Sequence, residues 1–151
     1  FNAAGSYEGL GYTLNPKQHL VPILVDAGLN EEVFTINGDD YETPDGTCIR
    51  DYTHIFDVAS AHVSALNYLM DGGDSNIFNI GGGSGSSIKQ VIAEVEKQLG
   101  KEINVEVGPK RDGDAERTDA NIVKAFEMLG WEPQNTLEEI VADEIAYQSK
   151  K

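Results

Sequence analysis

Gly38-Asp39-Asp40-Tyr41-Glu42-Thr43-Pro44-Asp45-Gly46-Thr47-Cys48-Ile49-Arg50-Asp51-Tyr52-Thr53-His54-Ile55-Phe56-Asp57-Val58 is the stretch that decides how the rest of the chain is read. Its first half is turn chemistry: Gly38, Pro44 and Gly46, set among four acids, make no regular element and predict an ordered loop. Its second half switches to Cys-Ile-Arg-Asp-Tyr-Thr-His, a short β-type run bearing a cation, and then enters a helix. An arginine on a short strand after such a loop is a common way to hold an anion, because guanidinium matches phosphate bidentately. The alternative is an Arg50 paired at the surface to Asp39, Asp40 or Asp45.

Outward from this stretch, short strands alternate with amphipathic helices. Leu20, Val21, Ile23, Leu24 and Ala27 recur at helical spacing, predicting a helix over 18–27 with Pro22 in its first turn and Gly28 as its stop. A strand is expected over 32–36. Asp57 reads as the N-cap of a helix to Met70, with Gly72-Gly73 ending it. A β run over 76–80 feeds Gly81-Gly82-Gly83-Ser84-Gly85, and Ser87 with Gln90 forms a capping box for a helix to Leu99. A further strand is expected over 103–107, a loop over 108–117, a helix over about 120–129, and a last helix from the Thr136/Glu139 cap to about Gln148. Residues 1–17, with Gly5, Gly9, Gly11 and Pro16, read as loop after a strand-like stub.

With 151 residues the chain holds one domain's worth of core. Its net charge of -15 argues against nucleic acid, whose phosphates demand a basic surface. The same charge means that an anionic ligand must be held by local cations, and there are only 11 Lys and Arg to supply them. A single cysteine, Cys48, excludes an internal disulfide and a cysteine-based zinc site, and it reads as a small core residue. The apolar runs are too short to span a membrane and no signal peptide opens the sequence, so a cytoplasmic protein is the expectation. Phe1-Asn2-Ala3-Ala4-Gly5, with no initiating Met, reads as a piece of a longer chain.

The glycine run Gly81–Gly85 departs from G-x-G-x-x-G, so it reads as a tight β-to-α connection and not as a dinucleotide fingerprint. Gly108-Pro109-Lys110-Arg111-Asp112-Gly113-Asp114 sets two cations among acids. It reads either as a solvated turn or as a second cation for the Arg50 site, with a carboxylate able to accept from vicinal hydroxyls. His54 and His62 read as structural, and Trp131 as core.

The central run resembles the signature of the UDP-glucose 4-epimerases, in the extended short-chain dehydrogenase/reductase superfamily. It carries Gly38-Asp39-Asp40-Tyr41, Thr43, Asp45-Gly46-Thr47, Arg50-Asp51-Tyr52, His54, Asp57 and Ala61-His62 in the family's order. Phe1-Asn2-Ala3-Ala4-Gly5, His19-Leu20-Val21-Pro22, Asn79-Ile80-Gly81, the Pro109–Asp114 block and Leu129-Gly130-Trp131 resemble further family motifs. The resemblance implies an α/β fold: an α+β-like substrate-binding domain with short strands and about five helices. It would be the C-terminal part of an extended reductase, residues 1–151, with the Rossmann half absent.

It also implies roles. Asn2, Arg50 and Arg111 would contact the diphosphate of a UDP-sugar, His19 and the Leu20 amide would approach phosphate, and Asp114 would take the ribose hydroxyls. Thr35 and Asn37 would lie on the strand edge that holds the uracil. The family's NAD, its Tyr-x-x-x-Lys pair and a G-x-x-G-x-x-G loop would belong to the missing half. No catalytic, cofactor-binding or metal-binding residue is therefore expected here, and no NAD bound to this piece alone. The whole enzyme would be a homodimer acting on UDP-glucose and UDP-galactose. The alternatives are another nucleotide-sugar epimerase or dehydratase, or a non-catalytic nucleotide-sugar binding module.

Overall fold

The computed structural model describes residues 1–13 and 17–150; positions 14–16 of the predicted opening loop lie outside them. Among the described residues the order is β1 (Asn2–Ala4), α1 (Leu20–Asn30), β2 (Phe34–Asn37), β3 (Ile49–His54), α2 (Ile55–Met70), β4 (Gly85–Ser87), α3 (Ile88–Leu99), β5 (Val105–Gly108), β6 (Arg117–Thr118), α4 (Val123–Leu129) and α5 (Leu137–Gln148). This is the mixed α/β class with five helices and short strands that the sequence implied.

Strand β3 is the hub. It pairs in parallel with β1, with Asn2 opposite Tyr52, and antiparallel with β4, with Arg50 opposite Ser86. It also pairs in parallel with the two-residue β6. Strands β2 and β5 form a separate parallel pair, from Phe34 opposite Val105 to Asn37 opposite Gly108. Helices α1, α3 and α5 meet through Val21, Leu24, Val25, Val91, Ile92, Val95, Ile140 and Val141, which form the main core with Phe34, Ile36 and Tyr52. Each such side chain contributes about 1.5–3 kcal/mol by leaving water. A smaller cluster joins Ala61, Ala125 and Trp131, with the Trp131 indole N–H donating to Ser60 Oγ at 2.9 Å. Trp131 is core, as expected.

Several boundaries move for identifiable reasons. Helix α1 runs through Gly28 to Asn30, because a side chain there would meet Leu99 and the glycine admits it; the stop falls at Glu31, at φ 60°. The N-cap of α2 is His54, not Asp57: its Nδ1 accepts the Phe56 N–H at 3.0 Å. Residues 76–80 are not a strand, since β4 takes the place beside β3. Phe78 and Ile80 pack on the Trp131 cluster instead, while Ile77 is exposed. Helix α4 starts at Val123, because the Ala120 N–H is taken by Asp51. Part of the predicted loop 108–117 pairs in β5, and residue 117 opens β6. The capping boxes at Ser87/Gln90 and Thr136/Glu139 form as read.

Candidate functional site

One cleft of about 400 Å³ gathers Asn2, His19, Leu20, Thr35, Asn37, Arg50, Arg111 and Asp114. All eight residues singled out from the sequence line it, although they come from five places in the chain. Asn2 stands on β1, where the parallel pairing sets it beside β3, and its amide donates to the Asp51 carbonyl at 3.1 Å. His19 and Leu20 open α1, whose N-terminus has no side-chain cap and carries Pro22 in its first turn. A helix start left in that condition keeps backbone N–H groups available to an anion. Thr35 and Asn37 lie on β2. Arg111 and Asp114 lie on the turn after β5, with the Asp114 N–H donating to the Arg111 carbonyl at 3.3 Å.

Arg50 does not pair with Asp39, Asp40 or Asp45. Its Nη1 donates to the Ile49 carbonyl at 2.8 Å, and its Nη2 lies 3.5 Å from Asp114 Oδ1. Arg111 has no carboxylate oxygen within 4 Å among the described residues, so its charge is available in the cleft. Lys110 turns away, to Asp40 and over the Tyr41 ring. The apolar floor is Phe34, Cys48, Tyr52 and Ile88, which the sequence had not assigned to the site. Burial pushes the Cys48 thiol up despite nearby Arg50, and raises the Tyr52 phenol as well, so both stay neutral at pH 7.

Pairing of β3 with β4 and β6 sets the position of Arg50, and the loop before it is pinned in its turn. The Asp45 carboxylate accepts from the Thr47 N–H at 2.9 Å, the Thr47 hydroxyl at 2.8 Å and the Ser87 hydroxyl, while Lys89 Nζ donates to the Asp45 carbonyl at 2.8 Å. Ser87 is also the N-cap of α3, so one carboxylate ties the loop to that helix. Gly46 is at φ 81°, where a Cβ would stand 2.0 Å from the Asp39 carbonyl oxygen. Burial alone would raise the Asp45 carboxyl, but the Ser87 and Thr47 hydrogen bonds and Lys89 outweigh it and hold it below the ordinary value. The Thr136 N–H does the same for Glu139. A folded-state value below the unfolded one contributes stability above about pH 4, lost as pH falls through the folded value. The midpoint of urea denaturation is therefore expected to drop between pH 6 and pH 3. Asp45→Asn should lower the pH 6 midpoint and flatten that slope; an unchanged slope contradicts the assignment.

The glycine turn has a different task from anion binding. Asp51, fully buried, accepts from Gly82 N–H at 2.5 Å, Gly83 N–H at 3.1 Å, Ala120 N–H at 3.0 Å and the Thr53 hydroxyl at 3.3 Å. The donors that a pyrophosphate would need are committed to a protein carboxylate, so this turn does not fit NAD. Asp57, also fully buried, likewise takes the Gln134 and Asn135 N–H groups at 3.1 and 3.0 Å. His54 is structural: its Nε2 lies 3.1 Å from Asp143 Oδ2, a partner that sequence spacing did not reveal. Among the described residues His62 bonds only to its own helix, at the Val58 carbonyl.

A Tyr-x-x-x-Lys spacing does occur once, from Tyr147 to Lys151, which corrects the expectation that the pattern is absent. Tyr147 stands on α5 with its ring against Gly11, outside the cleft lining, and Lys151 lies outside the described residues.

Residues 1–144 match the family model described as GDP-mannose 4,6 dehydratase, and the chain belongs to that family. Its relatives include the UDP-glucose 4-epimerase of Rhizobium meliloti (strain 1021), 41% identical over 100% of this chain and 47% of that protein. Among solved structures, the UDP-glucose 4-epimerase of Stenotrophomonas maltophila with NAD and formylated UDP-arabinopyranose superposes with TM-score 0.94. It is 33% identical, over 99% of this chain and 46% of that one. The Bifidobacterium longum UDP-glucose 4-epimerase, in complex with NAD+ and UDP, gives TM-score 0.92 at 34% identity, over 100% of this chain and 46% of that one. The resemblance read from the sequence is thus borne out, and the chain spans about half the length of the relatives it matches. Among the described residues no helix is long and apolar enough to cross a membrane.

Proposed function

We propose that residues 1–151 are the UDP-sugar-binding portion of a UDP-glucose 4-epimerase. The observation that carries this reading is the convergence of Asn2, Arg50, Arg111 and Asp114 on one cleft in a chain of net charge -15. Two arginines and an uncapped helix start offset that field locally, which suits a diphosphate. The carboxylate of Asp114 suits ribose hydroxyls, and the β2 edge at Thr35 and Asn37 suits the uracil. The whole enzyme on this reading is a cytoplasmic homodimer that interconverts UDP-glucose and UDP-galactose, in galactose metabolism. NAD supplies oxidation and re-reduction at C4 when bound to the other, Rossmann half, and this portion binds and orients the substrate without chemistry of its own.

The test is calorimetric titration of UDP into the chain. Binding is expected in the micromolar-to-millimolar range and to weaken steadily between 50 and 500 mM salt, because charged contacts are screened. The same sample given UDP-galactose is expected to form no UDP-glucose. Absent or salt-independent binding removes the reading; turnover removes its claim of catalytic silence.

A further inference from the structure

We propose that Lys110 is a positioning residue, a latch that ties the 109–114 turn to the 38–47 loop and so aims Arg111 into the cleft. The inference rests on the nucleotide-sugar reading of that cleft and adds to it a residue that acts on the ligand only through its neighbour. Its starting point is a cation turned away from an anion site. The chain has 11 basic residues against 26 acids, and Lys110 stands next to Arg111, yet it does not line the cleft. Its Nζ donates to the Asp40 carbonyl at 2.8 Å, lies 3.1 Å from Asp40 Oδ1 and stands 4.5 Å from the centre of the Tyr41 ring. Its stem packs on Gly38, where an added Cβ would stand 2.4 Å from Lys110 Cγ. One side chain thus engages residues 38, 40 and 41 of the loop together.

The turn has few other ties. It leaves β5 at Gly108, whose carbonyl accepts the Gly38 N–H at 3.0 Å. Beyond Lys110, among the described residues, it is held by its own Asp114 N–H to Arg111 carbonyl bond and by the 3.5 Å Arg50–Asp114 pair. An added Cβ at Gly113 would meet nothing within 4 Å, so that side of the turn is open. Among the described residues no hydrogen bond or ion pair holds the Arg111 head. A guanidinium carried on a loose turn must be ordered when it meets an anion, and the freedom lost then subtracts from affinity. A latch removes part of that freedom beforehand. Tyr41 extends the effect: its ring is buried, its hydroxyl donates to the Asn37 carbonyl at 3.3 Å, and Asn37 faces Gly108 in the β2–β5 pair. The latch therefore joins the two strand ends from which the loop and the turn set out. An exposed ion pair and an exposed cation–π contact are each modest, so the effect on binding is several-fold and not a matter of orders of magnitude.

Two measurements on Lys110→Met, which keeps the stem and removes the cation, test the proposal. The first needs no ligand. Backbone hydrogen exchange over residues 36–41 and 110–114 is expected to quicken about fivefold, with α3 and α5 unchanged, because the latch opens locally. Exchange no faster than in wild type overturns the proposal. The second is calorimetric titration of UDP into wild type, Lys110→Met, Arg111→Ala and the double variant. Lys110→Met alone is expected to weaken UDP about fivefold, and to add almost nothing in the Arg111→Ala background, where there is no guanidinium left to aim. An equal loss in both backgrounds is the signature of a missing charge and overturns the proposal, as does unchanged affinity in Lys110→Met. If Lys110→Met misfolds, Asp40→Asn, at a side chain 76% exposed, opens the ion pair from its other end and is read the same way. Failure of UDP to bind wild type removes the nucleotide-sugar reading instead. The exchange arm still decides the latch by itself, so the two failures are distinguishable.

Discussion

Asp51→Ala is expected to lower unfolding free energy by about 4 kcal/mol, a large part of the roughly 5–15 kcal/mol of a typical domain. The carboxylate is fully buried and accepts three backbone N–H groups, from Gly82, Gly83 and Ala120. Truncation would leave those amides without an acceptor where water has little access, at about 1–3 kcal/mol for each orphaned group. The sum is not additive, because the turn can relax. Neighbours restrict that relaxation: a Cβ at Gly82 would stand 2.5 Å from the Tyr52 carbonyl oxygen, and one at Gly81 would stand 2.3 Å from Ala120 Cβ. Asp51→Asn keeps the volume but presents an N–H₂ to amide donors, so it should rescue only part of the loss. Urea denaturation followed by far-UV dichroism measures both variants. A loss below about 1 kcal/mol for Asp51→Ala would show that the carboxylate does not hold the turn.

Arg50→Ala is expected to weaken UDP binding by about 10- to 100-fold, matching the 1.5–3 kcal/mol typical of a charge-assisted hydrogen bond. Stability should change far less, because among the described residues the Arg50 head makes one backbone hydrogen bond and one long ion pair. The salt dependence of UDP binding should flatten in parallel. Arg50→Lys keeps the charge but not the planar fork, so it should fall between wild type and alanine. Calorimetry with a thermal-melt control separates these effects. A loss smaller than about threefold, with the variant folded, would move the diphosphate away from Arg50 and onto Arg111 or the start of α1.

Much of the molecule is legible in its sequence because the signals are local. The two capping boxes need only residues three apart, and both form where they were read. The turn character of 38–47 follows from Gly38, Pro44 and Gly46, and structure adds only the reason Gly46 has no substitute there. The cleft residues were legible by resemblance, not by spacing: no periodicity links Asn2 to Arg111. What the sequence did not reveal are partnerships across the chain. Asp57 looked like a helix cap and instead holds residues 134–135. Asp51, beside the arginine that drew attention, wraps the glycine turn.

Helix α2 shows the same limit from the outside. Val58, Ala61, Ala65, Leu66 and Leu69 read as a core-facing stripe, yet only Ala61 of these is buried, Val58 and Ala65 are half-buried, and Leu66 and Leu69 are exposed along with Phe56, Val63 and Met70. Helical periodicity gives the stripe but not the direction it faces.

The central run Gly38–Val58 by itself determined a loop, a short cationic strand and a following helix, since backbone preference and hydrophobic period act over a few residues. Only the tertiary structure decided which carboxylate faces Arg50, which amides surround Asp51, and that five separate segments share one cleft. Those are distances between residues well separated in sequence, such as Arg50 and Asp114 or Asp51 and Ala120, set by how β1, β4 and β6 register against β3 and how α1, α3 and α5 share a core. No local energy term encodes that packing.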